Sequence, residues 1–492
     1  AKQLIVNGLI KFTALGELFR PGSFVKAPIA SSHEFAVFRV TDSYYGEYRT
    51  PIGMQKRFLV FMEATVLVGQ HFSLATFSEV FLAWNGGQAR NLADFSYQPI
   101  SEEETRYFLK RSESVVKYGL GGPGYWAYGP DSFYMHASPI QQAATSTLSY
   151  AAHNAQSPNG GRIMIDVARG AVLGHYPCQG ADEITNSIKE LSRRYRQWQQ
   201  SHSQRQNQHL AASDSDGLYI WDQVPSDLLM TCWPILVGMS FTAKTWGHVL
   251  VTGLSPIDFQ ELAFEQLVLS PERKRLIQAV VRQGGTMSQL QDVISGKQSG
   301  SIFLLHGAPG VGKTLTAEAV AEMLHKPLYY ITMGELGVTP DELERRLSDV
   351  LGLCAEWNAI AILDEADVFL ETRGTSSDLI RNAMVCVMLR ILEYHPGILF
   401  LTTNRVRSLD PAFESRISVA IRYEDLDAKA RAQVWRNQLG KVTGVDVQAI
   451  DITELAVKQM NGRQIKNAVR LALSVALDQN SSLTQSLLLE TM

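Results

Sequence analysis

Gly307-Ala308-Pro309-Gly310-Val311-Gly312-Lys313-Thr314 is a G-x-x-x-x-G-K-[ST] run. Its glycines let backbone N–H groups turn inward around phosphate oxygens, the Lys313 ammonium reaches terminal phosphates, and the Thr314 hydroxyl is a magnesium ligand. Asp364-Glu365 pairs two carboxylates at the end of an apolar run. Asp364 suits the magnesium shell and Glu365 suits polarising an attacking water. Asn404, after a third apolar run, carries an amide able to orient that water against a γ-phosphate. The chemistry is hydrolysis of a magnesium–nucleoside triphosphate. The bland alternatives are a Gly-rich turn that binds nothing and two acids that merely close a strand; the ordered series of motifs argues against both.

These side chains need elements to hold them. Ser301-Ile302-Phe303-Leu304-Leu305-His306, Ala359-Ile360-Ala361-Ile362-Leu363 and Gly397-Ile398-Leu399-Phe400-Leu401 read as buried strands. The helix after Lys313 offers its positive end to an anion. Leu315, Ala319, Val320 and Leu324 give that helix one face to bury. Leu328-Tyr329-Tyr330-Ile331-Thr332 is a further strand, and Thr339 caps a helix with Pro340 in its first turn and Glu342 completing a capping box. Residues 378–394 form a helix apolar nearly all round, hence buried. Strand–helix alternation predicts an α/β fold, a parallel sheet with helices on both faces.

With those motifs in place, residues 262–492 resemble an AAA+ ATPase module with Walker A, a Walker B of the D-E type and a sensor-1 asparagine. The resemblance implies a P-loop NTPase large subdomain over 262–425 and a helical lid over 426–492. It implies nucleotide-binding residues Gly307, Ala308, Pro309, Gly310, Val311, Gly312, Lys313, Thr314, Leu315 and Asp364, with Mg2+ at Thr314 and Asp364 and ATP as the nucleotide. Leu267 to Leu269 stand where the family supplies part of the adenine pocket. Leu409-Asp410-Pro411-Ala412-Phe413-Glu414-Ser415-Arg416-Ile417 is similar to the segment that ends in an arginine finger, which makes Arg416 a catalytic residue delivered by a neighbouring subunit. Its alternative is a surface arginine paired with Glu414 or Asp410. Asn461-Gly462-Arg463-Gln464-Ile465 resembles the sensor-2 motif, with Arg463 touching nucleotide from the lid. The loop Gly334-Glu335-Leu336-Gly337-Val338-Thr339 departs from threading unfoldases because it lacks their aromatic. Leu336 and Val338 are the substitutes on offer.

The preceding residues read as a β-rich α+β domain over 1–200, a polar linker over 201–217 and a β segment over 218–261 joining that domain to the ATPase. Phe35-Ala36-Val37-Phe38-Arg39-Val40, the run 57–64 and the run 72–84 are strand-like, with a turn at Asn85-Gly86-Gly87. Residues 102–116, 188–200, 272–283 and 288–294 read as helices, and Leu218-Tyr219-Ile220-Trp221 as a strand. The aromatics here read as a packed β core. The order of these parts resembles a group of AAA+ proteins, abundant in fungi, whose N-terminal domain has no known function.

Bulk properties limit the partners. The chain has 492 residues, 45% hydrophobic, and a net charge of −4 from 45 basic and 49 acidic residues. With no basic block, a nucleic-acid surface is not indicated. Four cysteines, none in a C-x-x-C pair, indicate neither zinc nor a disulfide framework, and Cys354 and Cys386 read as core residues. His71, His136, His153 and His175 are scattered without metal spacing. No apolar run is long enough to span a membrane. The expected location is intracellular and soluble, cytoplasmic or nuclear, although Ala1 in place of an initiating Met leaves room for a trimmed targeting segment. The reading is a magnesium-dependent ATPase forming a homo-oligomeric ring, six subunits being the expected number, that remodels a macromolecule, a protein being favoured. The rivals are a nucleotide-gated scaffold with little turnover and a nucleic-acid loader.

Overall fold

The computed structural model describes residues 8–29, 34–50, 53–84, 88–136, 156–178, 182–202, 218–283, 300–370, 379–405, 411–442, 445 and 447–492. The chain divides into two units, with the boundary between Ile257 and Asp258.

In the first unit, strand-forming residues alternate between two faces. Strands β1 (Phe24–Pro28), β2 (Phe35–Thr50), β3 (Gly53–Val68), β4 (His71–Leu82) and β5 (Gln98–Pro99) pair antiparallel in the order β4-β3-β2-β1-β5. Phe58, Val60 and Met62 of β3 point into a core shared with Phe38 and Phe77, whereas Phe61 on the opposite face stacks on Tyr44. The aromatics therefore act mainly as a β core. Helix α1 (Glu102–Gly119) opens with a capping box in which Ser101 and Glu104 satisfy each other's backbone N–H. Helix α2 (Glu183–His202) buries Ile188, Leu191 and Tyr195 against the first sheet's core.

A second sheet holds β6 (Gly124–Tyr128), β7 (Phe133–Met135), β8 (Gly161–Ile165), β9 (Ile235–Ser240), β10 (Thr245–Leu250) and β11 (Leu254–Ser255), in the order β11-β6-β8-β9-β10-β7. Three of these strands, β9, β10 and β11, come from the stretch 218–261. Every residue of β9 is buried, and the strand lies between β8 and β10 within the first unit. Leu236 and Val237 of β9 pack with Ile163 of β8 and Val249 of β10. Residues 218–221 form no strand; Trp221 makes only an isolated bridge to Phe72. Of the polar stretch 201–217, Ser201 and His202 end α2, and 203–217 lie outside the described residues, as do the turn at 85–87 and the helix read at 288–294.

In the second unit, after α3 (Pro271–Gln283), five strands pair in parallel: β12 (Ser301–Gly307), β13 (Leu328–Ile331), β14 (Ile360–Leu363), β15 (Ile398–Thr403) and β16 (Val419–Tyr423), in the order β13-β14-β15-β12-β16. The continuous apolar runs of β12, β14 and β15 reflect helices flanking the sheet, among them α4 (Lys313–Leu324), α5 (Pro340–Glu356) and α6 (Leu379–Tyr394). The expected α/β P-loop sheet is what the chain forms. A separate helical core follows, in which Trp435 of α7 (Ala428–Leu439) packs with Ile465 and Ala472 of α8 (Gly462–Asp478). Among the described residues no helix is long and apolar enough to cross a membrane.

Candidate nucleotide site

The loop 308–312 leaves β12 and enters α4 through Gly312, whose φ of 104° is in the left-handed region. No side chain caps α4, so its first N–H groups are free to meet an anion. Lys313 is buried, and its Nζ donates to the carbonyls of Gly307 and Ala308 and to Oδ1 of Asn404, each at 2.8 Å. Burial lowers the ammonium's pKa; the carboxylates of Asp364 and Asp367 oppose that shift, and Arg463 adds to it. Two loops from neighbouring strands thus converge on one cation.

Asp364 and Glu365 follow the end of β14. The Thr314 hydroxyl donates to Oδ2 of Asp364 at 3.5 Å, a long contact between two hard oxygens, which is the donor chemistry magnesium prefers. The other Asp364 oxygen accepts from the hydroxyl of Thr402. Glu365 is exposed and adopts φ 55°, a left-handed conformation that costs a non-glycine residue roughly 1–2 kcal/mol. Its N–H donates to Thr402 Oγ1 at 3.1 Å. The Thr403 hydroxyl donates to Asp367. Thr402, Thr403 and Asp367 went unread in the sequence. The available signal was two threonines ending an otherwise apolar strand beside an acidic strand end.

The lid touches the loop. The Gly462 N–H donates to the carbonyl of Gly310 at 2.9 Å, and Asn461 and Gln464 form the predicted capping box at the start of α8. That box places Arg463 in the first turn, exposed and close enough to influence Lys313. Asn437 of α7 donates to the carbonyl of Gln266 at 2.8 Å. Leu267 is buried and Leu269 packs against the same core, the segment assigned to the adenine side.

The family described as "ATPase family associated with various cellular activities (AAA)" matches residues 303–425. The chain carries an AAA ATPase domain. The match runs from within β12 through the other four strands of the parallel sheet and stops before α7. A putative 26S proteasome regulatory subunit homolog of Methanothermobacter thermautotrophicus is 28% identical over 188 residues, which is 36% of this chain and 50% of that protein. A proteasome-associated ATPase of Acidothermus cellulolyticus is 32% identical over 159 residues, 27% of either chain. A probable mitochondrial chaperone bcs1 of Schizosaccharomyces pombe is 28% identical over 160 residues, covering 29% of this chain and 34% of that one. The chain spans half the length or less of these relatives.

Other residues singled out in the AAA domain have these surroundings. Arg416 donates to the carbonyls of Leu389 and Ala412 and pairs with Glu393 at 3.0 Å, rather than with Glu414. Asp410 lies outside the described residues. Leu315, expected on the buried face of α4, is 52% exposed, because the small Ala317, Ala319, Val320 and Ala321 bring the helix's other side close to the sheet. Leu336 is fully buried, so of the two apolar substitutes only Val338, 80% exposed, projects from the loop. The Thr339 capping box is half formed: Thr339 accepts from the Glu342 N–H, while Glu342 accepts from Val338 instead. Cys354 is a core residue as read, but Cys386 is exposed on the outer side of α6.

One cluster outside the AAA domain also escaped the sequence. His136 lies between His175 and His248 in the first unit, its Nδ1 3.1 Å from His175 Nδ1 and its Nε2 2.8 Å from His248 Nδ1. Trp246 stacks on His175, and Tyr134 on His248. Burial pushes all three imidazoles below their usual range, His248 to about 4. The residues come from three separated segments, so no short spacing announces them.

Proposed function

We propose that this protein is a magnesium-dependent ATPase that assembles as a ring and uses hydrolysis to remodel a partner macromolecule, a protein by preference. The observation that carries the reading is the convergence of Lys313 and Asn404 at 2.8 Å, beside Thr314 facing Asp364. Those residues come from three strand ends, and a fold with no anion to bind has no use for a buried ammonium there.

Thr314 and Asp364 would hold magnesium, which neutralises phosphate charge when bound. Lys313 exchanges its carbonyl partners for phosphate oxygens. Asn404 orients the attacking water, and the Glu365 carboxylate takes its proton as the oxygen bonds to the γ-phosphorus, the bond to the β-phosphate oxygen breaks and the nucleoside diphosphate leaves. Arg463 brings positive charge from the lid, so nucleotide state is felt between the two parts of the module. Arg416 acts on a neighbouring subunit's nucleotide after leaving Glu393, which makes the ring part of the active site.

A protein partner is favoured by relatives named for the proteasome and for a chaperone, and by the net charge of −4, which does not suit a nucleic-acid surface. Val338 is the apolar residue available for contact in its loop. The deciding experiment uses Glu365→Gln. It is expected to bind ATP normally and lose phosphate release by about 10³-fold. Held on ATP, the same variant should be recovered as a ring with its partner trapped. Undiminished turnover would remove Glu365 as the base and the hydrolytic mechanism with it.

A further inference from the structure

We propose that Thr402 is the positioning residue that aims the hydrolytic carboxylate of Glu365. The inference rests on the ATPase reading above and adds to it a residue that the phosphate-loop and acidic motifs do not contain. Thr402 is 1% exposed and stands at the end of β15, across from the end of β14. It holds three consecutive residues. Its hydroxyl donates to Asp364 Oδ1, the hydroxyl oxygen accepts the Glu365 N–H at 3.1 Å, and its carbonyl accepts the Ala366 N–H at 2.9 Å.

The middle residue of the three is the left-handed one. A glutamate at φ 55° relaxes to an ordinary conformation unless its surroundings over-determine it. Here the side chain before it and the amide after it are anchored on the same threonine, and its own amide as well. With both flanks fixed, the left-handed turn sets the direction in which the Glu365 side chain leaves the backbone. In a valine variant a water could not take over the two bonds, because the added methyl group fills the hydroxyl's place at a position 1% exposed. Asn404, two residues on, bonds Lys313, so the same strand end carries both the support of the base and the amide beside the phosphate loop.

Thr402→Val keeps shape and volume and removes both hydroxyl bonds. Thr402→Ser keeps the hydroxyl and loses a methyl group. Steady-state ATP hydrolysis, ATP binding at equilibrium and thermal melting are to be measured for both, with Glu365→Gln as the reference. The expected result is a Val variant that is folded and binds ATP within about threefold of the parent while kcat falls about 10- to 100-fold, the scale of a misplaced reacting group. The Ser variant should recover most of that loss. A Val variant with parental kcat, measured where Glu365→Gln is inactive, overturns the proposal while leaving the ATPase reading standing. Parallel loss of ATP binding and kcat, or a Ser variant as weak as Val, also overturns it, since the hydroxyl would then not be aiming the base. Full activity in Glu365→Gln removes the underlying reading and this proposal together.

Discussion

The carbonyl of Gly310 accepts a hydrogen bond from the N–H of Gly462 at 2.9 Å, tying the phosphate loop to the first turn of the lid helix α8. Gly310 has φ 77°, and a Cβ built on it would lie 2.7 Å from Oδ1 of Asn461. Gly310→Ala therefore strains the loop and pushes on the lid's capping residue. Left-handed alanine costs about 1 kcal/mol before any clash. ATP affinity measured by titration calorimetry should fall at least about fivefold, with the melting temperature of the lid lowered. Unchanged affinity would mean that the lid does not share the nucleotide site.

Arg416 and Glu393 form the second test. In the single chain the guanidinium is occupied by Glu393 and two carbonyls, so its proposed action on a neighbour requires release. Arg416→Ala should reduce assembled turnover by about 10³-fold or more. Mixing it with Lys313→Ala subunits should restore part of the activity, because a mixed interface unites an intact phosphate loop with an intact arginine. Absence of recovery at every mixing ratio would assign Arg416 to holding α6 instead.

Leu336 and Val338 separate burial from display. Leu336→Asp places a carboxylate in the core and should destabilise the domain by about 3 kcal/mol or more, visible as a lower melting temperature. Val338→Asp, on an 80% exposed residue, should melt like the parent and keep its basal ATP turnover. Its effect should be confined to partner capture by the ATP-held form. Equal partner capture with and without Val338 would exclude this loop from the contact.

The histidine trio makes the first unit acid-sensitive. All three imidazoles are held below 6.5 in the folded chain, and unfolding returns them to that value. Below pH 6.5 the unfolded state therefore binds more protons, and stability falls as pH falls, for His248 down to about 4. Each such group adds a slope of about 1.4 kcal/mol per pH unit within its window. His136→Gln, whose amide both donates and accepts, should flatten the dependence of the melting temperature on pH between about 4 and 6.5. An unchanged slope would show that the trio is protonated without strain.

The site was readable to different depths. Lys313, Thr314, Asp364 and Asn404 announce themselves because the backbone geometry that wraps phosphate admits few residue types, at spacings set by strand and loop lengths. Asn461 and Gln464 were readable as a capping box because that bond pattern is local, three residues apart. Thr402 was not, since its partners Asp364 and Glu365 lie on the neighbouring strand end, and threonine at a strand end has many ordinary reasons to be there. Leu315 was misplaced because periodicity gives a face without saying which side the sheet occupies.

From the sequence alone came the parallel sheet, the phosphate loop and the acidic strand end, all of which depend on residue type and local spacing. Only the tertiary structure decided that β9 and β10 belong inside the first unit, that Glu393 holds Arg416, that Thr402 supports Glu365 and that three distant histidines meet. Each of those relations joins segments remote along the chain, and side-chain pairing at such distance is set by how strands are ordered in a sheet, which no local pattern of residues specifies.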